Sequence, residues 1–389
     1  MHKRTLLAAT ALLGLTLAGG PALAQEKPPF KIGLIVPLTG PFTAVGKQIT
    51  AGVRLYVAQH GDTVAGRKVE LILKDDGAVP ANSRRIAQEM VASEKVDVLA
   101  GFAITPSALA AAPIATQGKT PLVVMSAAAS GIPAASPYVT RTSFTVAQVS
   151  APLADWAAKS GMRKVVTLVT DYAPGADAEH TFAAQFKADG GEVLDMLRVP
   201  LHNADYAPFM QKVRDLKPDG LFIFVPAPEA PAVVKQFRQR GLDKAGVKLI
   251  GTGDVVDDDT LPNMGDDALG IITSHHYSVA HKSAANQAFV AAYGKANNGA
   301  RPNFMAVGGY DGMQLIYDAL KKTGGAGGGD ALIAAMRGDV LESPRGPLKI
   351  DPKTREVVQN VYIRRVEKVN GQLYNVEFAT VQGVMDPAK

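Results

Sequence analysis

The chain has 389 residues, 47% of them apolar, with 41 Lys and Arg against 36 Asp and Glu and no Cys. The missing Cys excludes disulfide staples, thiolate metal sites and a lipid attached through Cys, and a chain of this length can bury substantial cores without such help. The formal charge of +5 is small and spread along the chain, with no Lys/Arg block and no interleaving of aromatic and basic residues, so a nucleic-acid partner is not expected.

At the N-terminus, Lys3 and Arg4 precede an apolar run from Leu6 to Ala18, which breaks at Gly19-Gly20-Pro21 and reaches Ala22-Leu23-Ala24. That order predicts a secretory signal peptide over 1–24, cleaved after Ala24; its apolar run falls short of the roughly 20 residues that span a bilayer. Without Lys3 and Arg4, the mature chain carries 39 basic and 36 acidic residues.

Short Val/Ile/Leu runs then alternate with segments of helical period. Phe30–Val36 reads as a strand, and Val45, Ile49, Val53 and Val57 mark one buried face of a helix over 42–60. The rhythm continues with strand 69–73, helix 81–94, strand 96–100, helix 106–117 and strand 121–125. A second series runs through helix 149–159, strand 164–170, helix 176–189, strand 192–199, helix 206–216, strand 220–225, helix 231–240 and strand 248–251. Strands alternating with helices predict parallel sheets covered on both faces, here in two lobes of one architecture.

Between the series lies an extended stretch, 136–144, with a comparable one at 271–278 and a third at 343–347. Helices 284–295 and 303–322 are expected to return to the first lobe. A turn at 324–329 and a helix at 331–336 follow. Runs 357–367 and 373–381 flank Asn370-Gly371, a strong hairpin signal.

Motifs of catalysis are missing or malformed. Five residues separate Gly40 from Gly46 where a phosphate loop needs four, and Gln48 stands where its Ser/Thr would be. Gly251-Thr252-Gly253 is followed by Val256 where a dinucleotide fingerprint wants a small residue. His275 and His276, as strand neighbours, should point to opposite faces and are read as a solvated or hydrogen-bonded pair rather than metal ligands. Asp254, Asp257, Asp258 and Asp259 lack Ca²⁺-loop spacing and read as the cap of a short helix. No nucleophile elbow or His-Glu-x-x-His helix occurs. Neither metal nor cofactor is expected, and no catalytic residue is assigned.

What stands out instead are Gly-, Ser- and Thr-rich turns after strands, at Thr39–Pro41, Gly101–Ser107 and Ser126–Ser130. In a doubly wound sheet these turns line the ligand crevice. Thr105, beside a helix start, is placed either to grip a carboxylate or to act as a plain N-cap. Phe42 and Phe102 fall in the same turns.

These residues carry a resemblance. Lys31 to Pro41, Lys74-Asp75-Asp76, the Gly101 turn, Pro121 to Ser130, and Asp171-Tyr172 with Gly175 are similar in order and spacing to the type I, Leu/Ile/Val-binding-like periplasmic binding proteins. The resemblance implies a Venus-flytrap α/β fold: two doubly wound lobes joined by three hinge crossings, with lobe one over 26–142 and 276–345 and lobe two over 143–275 and 346–389. It also implies a periplasmic receptor of an ABC importer, not an enzyme, that closes on a small carboxylate and docks on an inner-membrane permease; a monomer is expected. The carboxylate grip of that family falls on Thr105 and on the loop Ser126-Ala127-Ala128-Ala129, where Ala129 replaces a hydroxyl residue. Its two pocket tyrosines fall on Pro174 and Pro226, its ammonium-pairing acid near Gly253 or Asp254, and Tyr172 joins the expected contacts. With prolines in place of polar rings, an aromatic acid is favoured over a branched-chain or other amino acid. An exported α/β enzyme or a sensor domain is the alternative.

Overall fold

The computed structural model describes residues 27–201 and 205–388, so the expected signal peptide lies outside the described residues. From the N-terminal side the elements are β1 (Phe30–Val36), α1 (Thr43–His60), β2 (Thr63–Val64), β3 (Arg67–Asp75), α2 (Pro80–Glu89), β4 (Val98–Gly101), α3 (Thr105–Gly118), β5 (Leu122–Val124) and β6 (Val139–Arg141). They form a sheet in the order β2-β3-β1-β4-β5-β6. Only β2 runs antiparallel to its neighbour, β3, through a turn at Ala65-Gly66 whose φ angles are both positive. Such mirror-type turns match strand twist, but Ala at φ > 0 concealed this one from sequence reading.

The second series comprises α4 (Val146–Lys159), β7 (Lys164–Thr170), α5 (Ala173–Ala188), β8 (Glu192–Val199), α6 (Ala207–Leu216), β9 (Gly220–Phe224), α7 (Ala230–Gln239), β10 (Lys248–Thr252) and β11 (Ile272–His275). Then come α8 (Ala284–Ala296), α9 (Phe304–Lys322), α10 (Gly329–Met336), β12 (Val340–Leu341), β13 (Leu348–Ile350), β14 (Val357–Val369) and β15 (Gln372–Val384). The second sheet is ordered β12-β13-β14-β11-β10-β9-β7-β8, with β15 paired to β14.

Burial explains why these strands read as unbroken apolar runs. Along β7, Val166 and Leu168 enter one apolar cluster while Val165 and Val169 enter another on the opposite face. A parallel strand covered on both sides needs apolar residues at every position. The β14–β15 hairpin closes at Asn370-Gly371, both at positive φ as the dipeptide predicts, and runs longer than expected. The helix expected over 81–94 is α-helical only to Glu89 and ends in a π-helical turn, Met90–Glu94.

Each sheet reverses its winding once: β1 lies between β3 and β4, and β7 between β8 and β9. At both reversals the following helix presses its first turn onto the end of the strand. A Cβ on Gly46 of α1 would lie 1.8 Å from the Pro37 carbonyl oxygen, and one on Gly175 of α5 would lie 1.8 Å from that of Thr170. Only glycine allows this approach, which brings both helix N-termini to the crevice.

The three crossings share a device that the sequence did not announce. Arg141, Arg345 and Arg364 are among the largest fully buried side chains. Arg141 donates to the carbonyls of Ala127, Ala129 and Phe144 and pairs with Glu356 at 2.8 Å. Arg345 donates to the Thr142 and Ser143 carbonyls and pairs with Asp311 of α9 at 2.7 Å. Arg364 on β14 donates to Thr273 Oγ1 and the Tyr277 carbonyl. Buried extended segments leave carbonyls without ladder partners, and a guanidinium with five donors satisfies several at once.

Two expectations need correction here. His275 and His276 are neither solvated nor hydrogen-bonded to protein among the described residues, and they do not diverge. Both are buried, and because β11 ends at His275 their ring centroids lie 4.4 Å apart, packed against Phe144 and Phe304. Burial, helped by Arg345 and Arg364, holds both well below the usual His range. The acidic cluster caps no helix through its side chains. Asp257 instead accepts from Asn303, and Asp258 from Asn375 and the Val279 N–H, tying distant segments together. Burial pushes the Asp257 carboxyl up to about 8.

Candidate functional site

A cleft opens at the C-terminal ends of the strands, enclosing about 490 Å³ of empty space, part of it open to solvent. Its walls come from the turn after β1 (Phe42, with Val45), after β4 (Ala103, Ile104, Thr105) and after β5 (Ser126, Ala127, Ala128). From the second sheet come Tyr172 and Pro174 after β7, Phe224 and Pro226-Ala227-Pro228 at β9, and Asp254 after β10. Phe144 of the first crossing and Phe304 and Met305 at the start of α9 complete it.

Of the residues singled out in the sequence, Phe42, Thr105, Ser126, Ala127, Ala128, Tyr172, Pro174, Pro226 and Asp254 line this cleft together, and Phe102 and Ala129 do not. Phe102 is fully buried at φ 64, its N–H on the Ile35 carbonyl and its own carbonyl accepting from Ala127. A bulky residue there is strained, and it shapes the loop from behind. Ala129 turns its N–H onto Thr105 Oγ1 at 3.2 Å and its carbonyl onto Arg141.

The Thr105 hydroxyl therefore does not cap a helix. Ile104 is the N-cap of α3, without a side-chain bond, and Thr105 is the first helical residue. Because Thr105 Oγ1 accepts from Ala129, its own proton is free to be donated toward the cleft. The N–H groups of Thr105 and Ser107 have no acceptor within the helix, and Pro106 has none to offer. Arg141 and the Ser143 hydroxyl hold the Ala127 carbonyl from behind, which fixes the loop beside that helix start.

Among the described residues, no Arg, Lys or His lines the cleft. The first turns of α1, α3, α5 and α9 contribute to the lining, and helix N-termini favour an anion without a cationic side chain. Apart from Asp254 and the Tyr172 hydroxyl, the opposite wall is apolar. Pro174, Pro226 and Pro228 offer no N–H, and the Tyr172 and Phe224 rings lie nearly parallel, 6.1 Å apart. Among the described residues, Asp254 is the one carboxylate on the lining. Thr252 Oγ1 donates to it at 3.0 Å, and burial pushes its pKa up to about 6 against that bond and the Arg364 charge.

Sequence reading passed over Phe144 and the α9 start. Phe144 ends an extended stretch that was recognised as a crossing, so its place beside the cleft follows from the hinge. Phe304 and Met305 are delivered by Asn303, whose Oδ1 accepts from the Met305 and Ala306 N–H groups. That cap is legible in sequence, but the face it presents is not. No group of three or more potential metal ligands occurs among the described residues, and none of their helices is long and apolar enough to cross a membrane.

Comparison with known proteins agrees with this architecture. A family model described as periplasmic binding protein matches residues 29–372. The Leu/Ile/Val-binding protein homolog 6 of Brucella suis biovar 1 is 43% identical, over 98% of each chain. A solute-binding protein of an ABC transporter from Rhodopseudomonas palustris BisB5, solved in complex with 3,4-dihydroxybenzoic acid, is 59% identical with a TM-score of 0.90, covering 92% of this chain and 99% of that one. Another from Rhodopseudomonas palustris HaA2, in complex with p-hydroxybenzoic acid, is 43% identical with a TM-score of 0.90, over 93% and 99%.

Proposed function

The chain belongs to the periplasmic binding protein family, and on that footing we propose that it is the receptor of an ABC importer that captures an aromatic carboxylate. It closes two lobes on the solute and delivers it to the membrane permease. The observation that carries the ligand class is the polarity of the cleft: donors without a cation on one wall, and a dry wall of prolines and aromatic rings on the other. An α-amino acid would bury an ammonium for which the lining, among the described residues, offers Asp254 as its one carboxylate, and an incompletely paired buried charge is costly. The solved relatives carrying hydroxylated benzoic acids support the same class.

In this reading the carboxylate lies against Thr105 and the Ser126–Ala128 loop, with the ring between Phe42 and the proline wall. The lobes comprise about 26–142 with 276–345 and 143–275 with 346–389, and 1–24 directs export. Sheet membership supports the division, with β12 joining the second sheet slightly before that return.

Thermal unfolding against a panel of small acids tests the class. A ligand that binds only the native state raises the midpoint as its concentration exceeds its dissociation constant. Benzoates are expected to do so and to be recovered unchanged after long incubation. Stabilisation by leucine alone would overturn the ligand class, and chemical conversion would replace the receptor by an enzyme.

Thr105→Val keeps the volume and removes one donor to the charged end of the ligand, so affinity should fall by about 1.5–3 kcal/mol, roughly tenfold to a hundredfold. Thr105→Ser should keep most of it. Equal affinities for all three proteins in calorimetry would confine Thr105 to tethering the Ala129 loop.

A further inference from the structure

Asp254 has no evident role in gripping a carboxylate, since two anions repel, yet it is buried in the wall of the cleft. An ionised carboxylate accepts about four hydrogen bonds. Here the Thr252 hydroxyl supplies one at 3.0 Å and the residue's own backbone N–H a second. Arg364 acts on it through its charge, and the hydrogen bonds of its guanidinium run to Thr273 and the Tyr277 carbonyl instead. On the same wall Pro174, Pro226 and Pro228 have no N–H to give, and the Tyr172 hydroxyl, near enough to feel the Asp254 charge, is not hydrogen-bonded to it. A buried acceptor with unused capacity favours a ligand that brings its own donor.

The two ends of the cleft belong to different lobes. Thr105 and the Ser126–Ala128 loop follow strands of the first sheet, and Asp254 follows β10 of the second. A flat ring spanning them holds its carboxylate at one lobe and its far edge at the other. We propose that Asp254 accepts a hydrogen bond from a ring hydroxyl opposite the ligand's carboxylate, so that the receptor selects ring-hydroxylated benzoates over unsubstituted benzoate and couples that hydroxyl to lobe closure. The inference rests on the aromatic-carboxylate reading and adds the residue that discriminates within the class. A phenolic O–H to a carboxylate is a charge-assisted bond, about twice as strong as a neutral one. Unsubstituted benzoate would leave the buried carboxylate short of a donor, and sites built for a hydroxyl reject analogues that lack it.

Calorimetry on the wild type, Asp254→Asn and Asp254→Leu with 4-hydroxybenzoate, 3,4-dihydroxybenzoate, benzoate and leucine decides it, with near-native circular dichroism required of each variant. The wild type should prefer 4-hydroxybenzoate to benzoate by about tenfold or more. That preference should shrink in Asp254→Asn, which keeps a neutral acceptor, and vanish in Asp254→Leu, with benzoate affinity held or improved in both. A wild type that binds benzoate and 4-hydroxybenzoate equally, or variants that weaken both by the same factor, would overturn the role of Asp254 and leave the ligand class standing. A wild type that binds leucine and none of the aromatic acids would overturn the class, and Asp254 would then be the ammonium partner.

Discussion

Asp311→Ala is expected to destabilise the fold by about 3–5 kcal/mol, because it strands the Arg345 guanidinium in a site that excludes water. The two side chains are 1% and 0% exposed and 2.7 Å apart, so solvent cannot take over the lost partner. Burial raises the Asp311 carboxyl, while Arg345 and the Ser343 hydroxyl, which donates at 2.8 Å, pull it down. A paired but desolvated ion gains little net stability over well-packed apolar groups, and most of the expected loss is the cost of the orphaned charge. The double variant Asp311→Leu with Arg345→Met should therefore recover much of it. Urea unfolding followed by both fluorescence and circular dichroism separates the cases and shows whether the lobes still unfold together. An Asp311→Ala loss below about 1 kcal/mol, the range of exposed pairs, would mean that water reaches the crossing.

Arg141→Met should combine a similar loss of stability with a loss of function. It removes the cation beside Glu356 and the Arg141 donors to the carbonyls of Ala129, Phe144 and Ala127, the last of which keeps the Ser143 hydroxyl. Each buried acceptor left unsatisfied costs about 1–3 kcal/mol, so total destabilisation of at least about 3–5 kcal/mol is expected. Since Ala127 and Ala129 flank the Ala128 position on the cleft, the loop should lose its fixed geometry, with affinity down by about tenfold or more in molecules that remain folded. Arg141→Lys keeps the charge but not the planar fork, and should fall between. Asp311, on α9, makes no direct contact with that loop and reaches it only through Arg345 and Ser143, so Asp311→Ala should reduce ligand affinity less. If both variants reduced affinity equally at matched stability, Arg141 would be a crossing clamp without a special role in the loop.

The local rules that act over a few residues were legible in the sequence. Alternating apolar runs and helical periods, the Asn370-Gly371 turn and the small residues after strand ends determined the doubly wound lobes, because burial on two faces and positive φ each restrict residue type at fixed spacing. The same rules brought Thr105 and the Ser126–Ala128 loop to the crevice, since strand C-termini at a winding reversal converge whatever their sequence, whereas Pro174, Pro226 and Asp254 were placed there by the family resemblance alone. Contacts between distant segments were not legible. A lone Arg in a polar stretch looks solvated, yet Arg141, Arg345 and Arg364 became the buried ties of the crossings, because only the assembled hinge collects carbonyls without ladder partners. His275 and His276 alternate on paper and converge in space once the strand stops at His275. Composition and period thus determined what each segment becomes, whereas the tertiary structure decided which charges lie inside and which rings face the ligand, because burial and pairing belong to segments that meet across hundreds of residues.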